Sequence, residues 1–264
     1  MKKSKRKERY KSYDKKSLVV YLSLRFLVII CMIMQILRGE YNNALLCLLS
    51  LVLFLLPSIV ERKLDIDLPN TLEIIIYLFI FSAEILGEIN NFYHIFPYWD
   101  TMLHVINGFL CAAIGFSIVD FLNKTDERIN LSPLYLCVVA FCFSMTIGVL
   151  WEFFEYSVDK ILLADMQKDT MITQIATVTI DPKEDNNSIL IKGIDKTVLY
   201  DKSGKVLATF DGGYLDIGLN DTMKDLIVNF IGAFVFCIFG YFYNKNEKSK
   251  VFVNNFMPKK KTNK

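Results

Sequence analysis

The sequence predicts an all-α polytopic membrane bundle of about six transmembrane helices, with a small extracytoplasmic β-rich insert between the fifth and the sixth. Three observations lead there. Hydrophobic residues make up 53% of the 264 residues and include 21 Phe, more apolar surface than one soluble core of this length hides. Six windows, approximately 18–37, 42–60, 71–90, 101–122, 132–157 and 222–243, approach the roughly 20 apolar residues a helix needs to cross hydrocarbon at about 1.5 Å per residue. The net charge is only +2, yet Lys and Arg crowd the two ends, "MKKSKRKERYKSYDKK" and "NKNEKSK…MPKKKTNK".

Taken in order, the elements acquire a topology. Residues 1–17 form a basic tail, and the first window, near Leu18–Leu37, is too long for a signal-peptide core and lacks a small-x-small cleavage site. The connections after the first and third windows, "RGEYNN" and "NNFYHIFPYWD", hold one Arg and no Lys. Those after the second and fourth, "ERKLDIDLPN" and "NKTDERIN", carry Arg62, Lys63, Lys124 and Arg128. That bias places both termini in the cytoplasm of a multi-pass cell-membrane protein. Helices one to five then occupy 18–159, the sixth occupies 221–243, and a second basic tail occupies 244–264. Basic tails beside apolar runs record topology, so the partner they imply is the lipid bilayer, with no nucleic acid.

Between 160 and 220 the pattern changes from solid apolar runs to alternation. "ITQIATVTI", "SILIKGI", "KTVLYD" and "KVLATF" have period two, and "YDKSGKV" reads as a hairpin turn. The Lys residues of this insert do not disturb the topology, because long loops translocate largely regardless of charge. All six Cys fall inside apolar runs without a CxxC spacing. They are expected as small buried residues, with no disulfide partner.

With the topology set, each polar residue of a span acquires a depth. Asp100, His104 and Asn107, at i, i+4 and i+7, share one face of the fourth helix near its outer end. "LWEFFEYSVD" puts Glu152, Glu155 and Asp159 in the last turns of the fifth. "LNDTMKDLIVNFIGAF" repeats Asp221, Asp225 and Asn229 every four residues and follows with Gly232, which leaves room for close helix approach. The third helix ends in "SAEILGEI", adding Glu84 and Glu88 as secondary candidates. Ionised groups facing lipid are costly, so these faces are expected to turn inward around one partly hydrated pocket at the outer leaflet. Each residue also has a plainer role: Asp100 or Asp221 as a helix cap, Asn107 and Asn229 as interhelical glue, Trp99, Trp151, Tyr98 and Tyr156 as an aromatic belt.

These residues carry a resemblance. Asp100-x-x-x-His104-x-x-x-Gly108, Trp151-Glu152-x-x-Glu155 and Asp221-x-x-x-Asp225-x-x-x-Asn229-x-x-Gly232, on successive helices, resemble the YjdF-like uncharacterised bacterial inner-membrane proteins. More distantly they resemble the VanZ-like membrane proteins. The likeness covers about residues 70–243 apart from the insert. It implies a membrane protein of the bacterial cell envelope; the first group has no established activity, and the second is linked to low-level glycopeptide resistance.

Four functions fit the polar cluster. The first is an envelope binder that holds a lipid headgroup or another envelope ligand. A membrane-embedded enzyme on a lipid-linked substrate would use Glu152 or Glu155 with His104 as acid and base, and a divalent metal on His104, Glu152, Glu155 and Asp225. One imidazole among carboxylates suits Mg²⁺ or Mn²⁺ better than structural zinc. A proton-coupled transporter would need a polar path to the inner half, which offers mainly Arg25, Glu73 and Asp120. Finally, the polar faces can simply lock helices together.

Overall fold

The protein is a polytopic helical membrane protein. The computed structural model describes residues 15–63, 65–125, 130–183, 185–243 and 246–260. The basic stretch 1–14, Arg128 and the last four residues lie outside the described residues. Among the described residues five helical stretches are long and apolar enough to cross a membrane by length and composition: Lys15–Leu37, Tyr41–Lys63, Trp99–Lys124, Pro133–Leu162 and Leu219–Tyr241. Two of them run through the boundary between two compact units, one comprising Met1–Thr146 with Val228–Lys264 and the other Ile147–Ile227.

In the first unit, α1 (Lys15–Leu37) packs on α2 (Tyr41–Leu53), which is followed after Phe54 and Leu55 by α3 (Leu56–Lys63). Proline fits the first turn of a helix, where an amide has no intrahelical acceptor, and Pro57 stands in that turn of α3. Strand β1 (Ile66–Asp67) leads to α4 (Asn70–Ile80). The third apolar window therefore holds an 11-residue α-helix and then a nine-residue π-helical segment, Phe81–Ile89. The short α5 (Phe92–Ile95) turns the chain into α6 (Trp99–Thr125). Next come α7 (Pro133–Leu162), and, beyond the insert, α8 (Leu219–Tyr241). At 30 residues, α7 is about 45 Å long, more than the ~30 Å hydrocarbon thickness.

Two apolar clusters hold this unit. One joins α1, α2 and α4 through Val28, Cys47, Phe54 and Tyr77. The other joins α4, α6, the start of α7 and the end of α8 through Leu72, Phe116, Leu136 and Phe236. It also takes in Val253, Phe256 and Met257, because α9 (Glu247–Asn254) lies within the stretch that reads from sequence as a basic tail. The ring of Phe256 meets Phe109 at 5.1 Å, and strand β8 (Lys259–Lys260) pairs antiparallel with β1. Phe252, Val253, Phe256 and Met257 of "VFVNNFM" thus pack with the core, while Val251 is exposed.

The second unit holds the insert, built from β2 (Thr170–Ile172), β3 (Gln174–Thr177), β4 (Ile189–Lys192), β5 (Lys196–Tyr200), β6 (Val206–Asp211) and β7 (Tyr214–Asp216). All pairs are antiparallel and nested: β2 with β7 at the base, β3 with β4, and β5 with β6. Thr197 stitches the last hairpin to the base, donating its hydroxyl to the Gly213 carbonyl and accepting from the Leu215 amide. In the β5–β6 turn Asp201 accepts from the Ser203 hydroxyl and from the amides of Ser203 and Lys205, while Gly204 takes a positive φ. This local capture is why the turn forms.

Two predictions follow from these contacts. Phe256→Ala, which empties part of the α6–α8–α9 cluster, lowers stability by about 3 kcal/mol, measured by thermal unfolding in detergent micelles. The Ser203 hydroxyl and then the Lys205 amide hold the Asp201 carboxyl below the usual carboxylate range. A lowered folded value stabilises the turn above the unfolded value of about 3.9 and loses that effect as pH falls through the lowered one. The amide resonances of Ser203 and Lys205 in the micelle-embedded chain therefore titrate together below that value, and Asp201→Asn abolishes the titration.

Candidate functional site

Within the first unit the site starts from a backbone contact between α6 and α8. A Cβ added to Gly108 would overlap the Asn229 carbonyl, and one added to Gly232 would overlap the Val105 carbonyl. Only residues without side chains allow the two backbones this close. The approach brings polar groups together: Asn107 Nδ2 donates to Asn229 Oδ1 at 3.3 Å, Ser144 Oγ of α7 donates to the Gly108 carbonyl at 2.8 Å, and Asn229 Nδ2 reaches the Ser144 carbonyl at 3.5 Å. Asn229 is fully buried and Asn107 half-buried. The two amides expected in one pocket do meet, and Ser144, which no sequence pattern marked, completes the junction. Its only signal was a hydroxyl in the apolar run "CFSMTIG".

One turn toward the start of α6, buried His104 faces Asp100, with Nε2 3.5 Å from Oδ1. The second oxygen of Asp100 and the hydroxyl of Thr101 are enclosed with no hydrogen-bond partner among the described residues. An enclosed carboxylate oxygen calls for a donor, a proton or a cation. The helix start is held by Trp99, whose indole N–H donates to the Ser82 carbonyl at 3.3 Å. That acceptor belongs to the π-helical segment, a form that recurs at functional positions. Of its two acids, Glu84 is half-buried and Glu88 exposed.

Elsewhere in this unit Glu73, Arg25 and Asp120 each have a partner of their own, Asp120 accepting from Lys124 at 2.7 Å. Ser17 donates to buried Glu73 at 2.8 Å, and Arg25 donates to the Tyr21 hydroxyl at 2.6 Å.

In the second unit the last turns of α7 bury Glu152 and Glu155, and Trp151 donates its indole N–H to Glu155 at 2.8 Å. Asp159 accepts from the amides of Met166 and Gln167 at 2.6 and 2.8 Å. The strap 163–168 is then tied to α8: Gln167 Nε2 donates to Thr222 Oγ1 at 2.6 Å, and the Lys168 amide donates to Asp221 at 2.8 Å. Asp221, in the first turn of α8, therefore serves the strap. Asp225, one turn on, is 1% exposed. Burial, and then the carboxylates of Asp165, Asp216 and Asp159, push Asp169 above the usual range.

Residues 19–246 match the model of a family described as predicted membrane protein (DUF2238), and the chain belongs to that family. An uncharacterized protein of Thermotoga maritima is 26% identical over 106 residues, which is 40% of this chain and 53% of that protein. The match thus spans about half the length of that relative. No solved structure matches.

The α6–α8 contact makes a sharp forecast. Gly232→Ala drives a methyl group into backbone, which cannot rotate away, and lowers stability by about 1–3 kcal/mol, read as a drop in melting temperature in detergent.

Proposed function

We propose that this family member holds a pocket of carboxylates, imidazole and amides at the outer leaflet, and that the pocket binds an envelope ligand or lipid headgroup. Both termini are cytoplasmic in this reading, following the Lys and Arg bias of the connections, and the insert 160–220 is extracytoplasmic. In the first unit the pocket draws on Asp100, His104, Asn107 and Asn229, with Glu84 and Glu88 as secondary members, while Glu152, Glu155, Asp221 and Asp225 are the candidates carried by the second unit. The observation that carries the reading is burial: His104, Glu152, Glu155, Asp225 and Asn229 are enclosed while large apolar residues of the same helices, such as Met102, Phe153, Phe154 and Phe230, are exposed. Membrane helices bury ionisable groups where something other than lipid is to be met. Acids outnumber bases in this set, which favours a ligand carrying ammonium or hydroxyl groups. The resemblance to YjdF-like proteins supports the same pocket, because its motifs consist of these residues.

An enzymatic reading has one observation in its favour. Asp100 orients the imidazole of His104 from one turn away, the arrangement a general base uses. A divalent ion of the Mg²⁺ or Mn²⁺ class would draw on His104 in the first unit, or on Glu152, Glu155 and Asp225 in the second.

Native mass spectrometry of protein extracted in mild detergent tests the binding reading. The parent carries an envelope lipid, and Asp100→Asn and His104→Gln retain it about thirtyfold more weakly, the size expected for removing one partner of a buried charged contact. Equal retention by parent and variants removes the pocket. Metal analysis after mild chelation and Mn²⁺ reloading separates the enzyme reading: no rebinding eliminates its metal-assisted form.

A further inference from the structure

The edge of the second unit where α7 ends and α8 begins is apolar and uncovered. Leu163 is 86% exposed and Ile161 76%, with Leu162 exposed between them, and at the other segment Ile217 and Leu219 are exposed where α8 begins. We infer that this edge is a lipid-contact surface: residues 161–163 and 217–219 sit in the interfacial layer of the leaflet in which α7 ends, anchoring the insert to the bilayer.

Three features of the strap support this occupant. First, both apolar segments continue membrane spans directly, so the contact extends one already made by α7 and α8. Second, the amides of Met166, Gln167 and Lys168 are all satisfied by carboxylates, two by Asp159 and one by Asp221. Non-helical backbone near lipid must satisfy such donors within the protein, and this strap does. Third, Leu163 has a φ of +53°, a left-handed conformation that Gly or Asn holds with less strain. A leucine at such a turn gains nothing from water and gains burial only from hydrocarbon. The polar border fits as well: the Lys160 ammonium lies 5.5 Å from the centre of the Tyr156 ring, the pairing of amphipathic ring and snorkelling cation found at headgroup level.

The inference is independent of what the pocket binds. Its test is Leu163→Trp in proteoliposomes containing brominated phosphatidylcholine, read as the fluorescence added over the parent, which retains Trp99 and Trp151. Leu162→Trp, in ordinary helical backbone, repeats the measurement if the first variant fails to fold, and Leu207→Trp on β6 is the distal control. The added indole at 163 or 162 is blue-shifted and quenched more strongly by bromines near the headgroup end of the acyl chain than by bromines near its methyl end, consistent with a depth of about 5–10 Å. The indole at 207 is unquenched. Solvent-like emission at 163 and 162 overturns the inference. So does blue-shifted emission that no lipid quenches, which would mean that protein, such as a second copy, covers the edge. Equal quenching at 207 overturns it too, since contact would not be confined to this edge.

Discussion

The close crossing of α6 and α8 through Gly108 and Gly232 is the constraint on which the first unit depends. An interhelical hydrogen bond between membrane helices contributes only about 0.6 kcal/mol on average, so the bonds among Asn107, Asn229 and Ser144 cannot by themselves hold three helices. Backbone contact at the glycines gives dispersion along a continuous surface, and the bonds satisfy the amides that the contact encloses. The same pair of helices then zips through aromatic edges, Phe109 on Phe236 and Phe116 on Phe236, at centroid distances of 5.3 and 5.8 Å. Packing sets the geometry, and the polar groups make that geometry unique.

The carboxylates divide by what they satisfy. Asp159 and Asp221 are occupied by backbone amides of the strap, and Glu155 accepts from the Trp151 indole. These are structural debts of a chain that must complete its own hydrogen bonding near lipid. Asp100 differs, since it contacts His104 through one oxygen while its other oxygen has no hydrogen-bond partner among the described residues. A functional reading therefore weighs Asp100 and His104 above acids whose oxygens already serve the fold.

Hydrophobic length and the period of four made much of this legible. The windows found α1, α6, α7 and α8 to within a few residues, because uninterrupted apolar runs have no competing explanation. Asn107 and Asn229 could be assigned to the same leaflet from the expected topology alone. The break after α2, the π-helical segment and α9 were not read, since backbone irregularity has no composition signal and the apolar run around Val253 lay among lysines that dominated the segment. Ser144 and the role of Asp221 were hidden for another reason. Their partners, Gly108 and Lys168, stand 36 and 53 residues away in sequence, so no local pattern announces them.

The insert shows how such a non-local contact governs a local fold. Among the described residues its strands pair two by two, and an isolated hairpin is marginal in water. Closing a loop of this length costs about 3–4 kcal/mol of chain entropy by the logarithmic rule, which those hairpins do not offset on their own. Bonds from Asp159, Gln167 and Asp221 close the loop at its base, and each involving a carboxylate contributes about 1.5–3 kcal/mol. The β2–β7 pair is thereby held in register before the outer hairpins contribute. Order in the insert consequently depends on acids located at the ends of membrane spans, so that loss of Asp159 or Asp221 would loosen the insert from its base while leaving its hairpin turns intact.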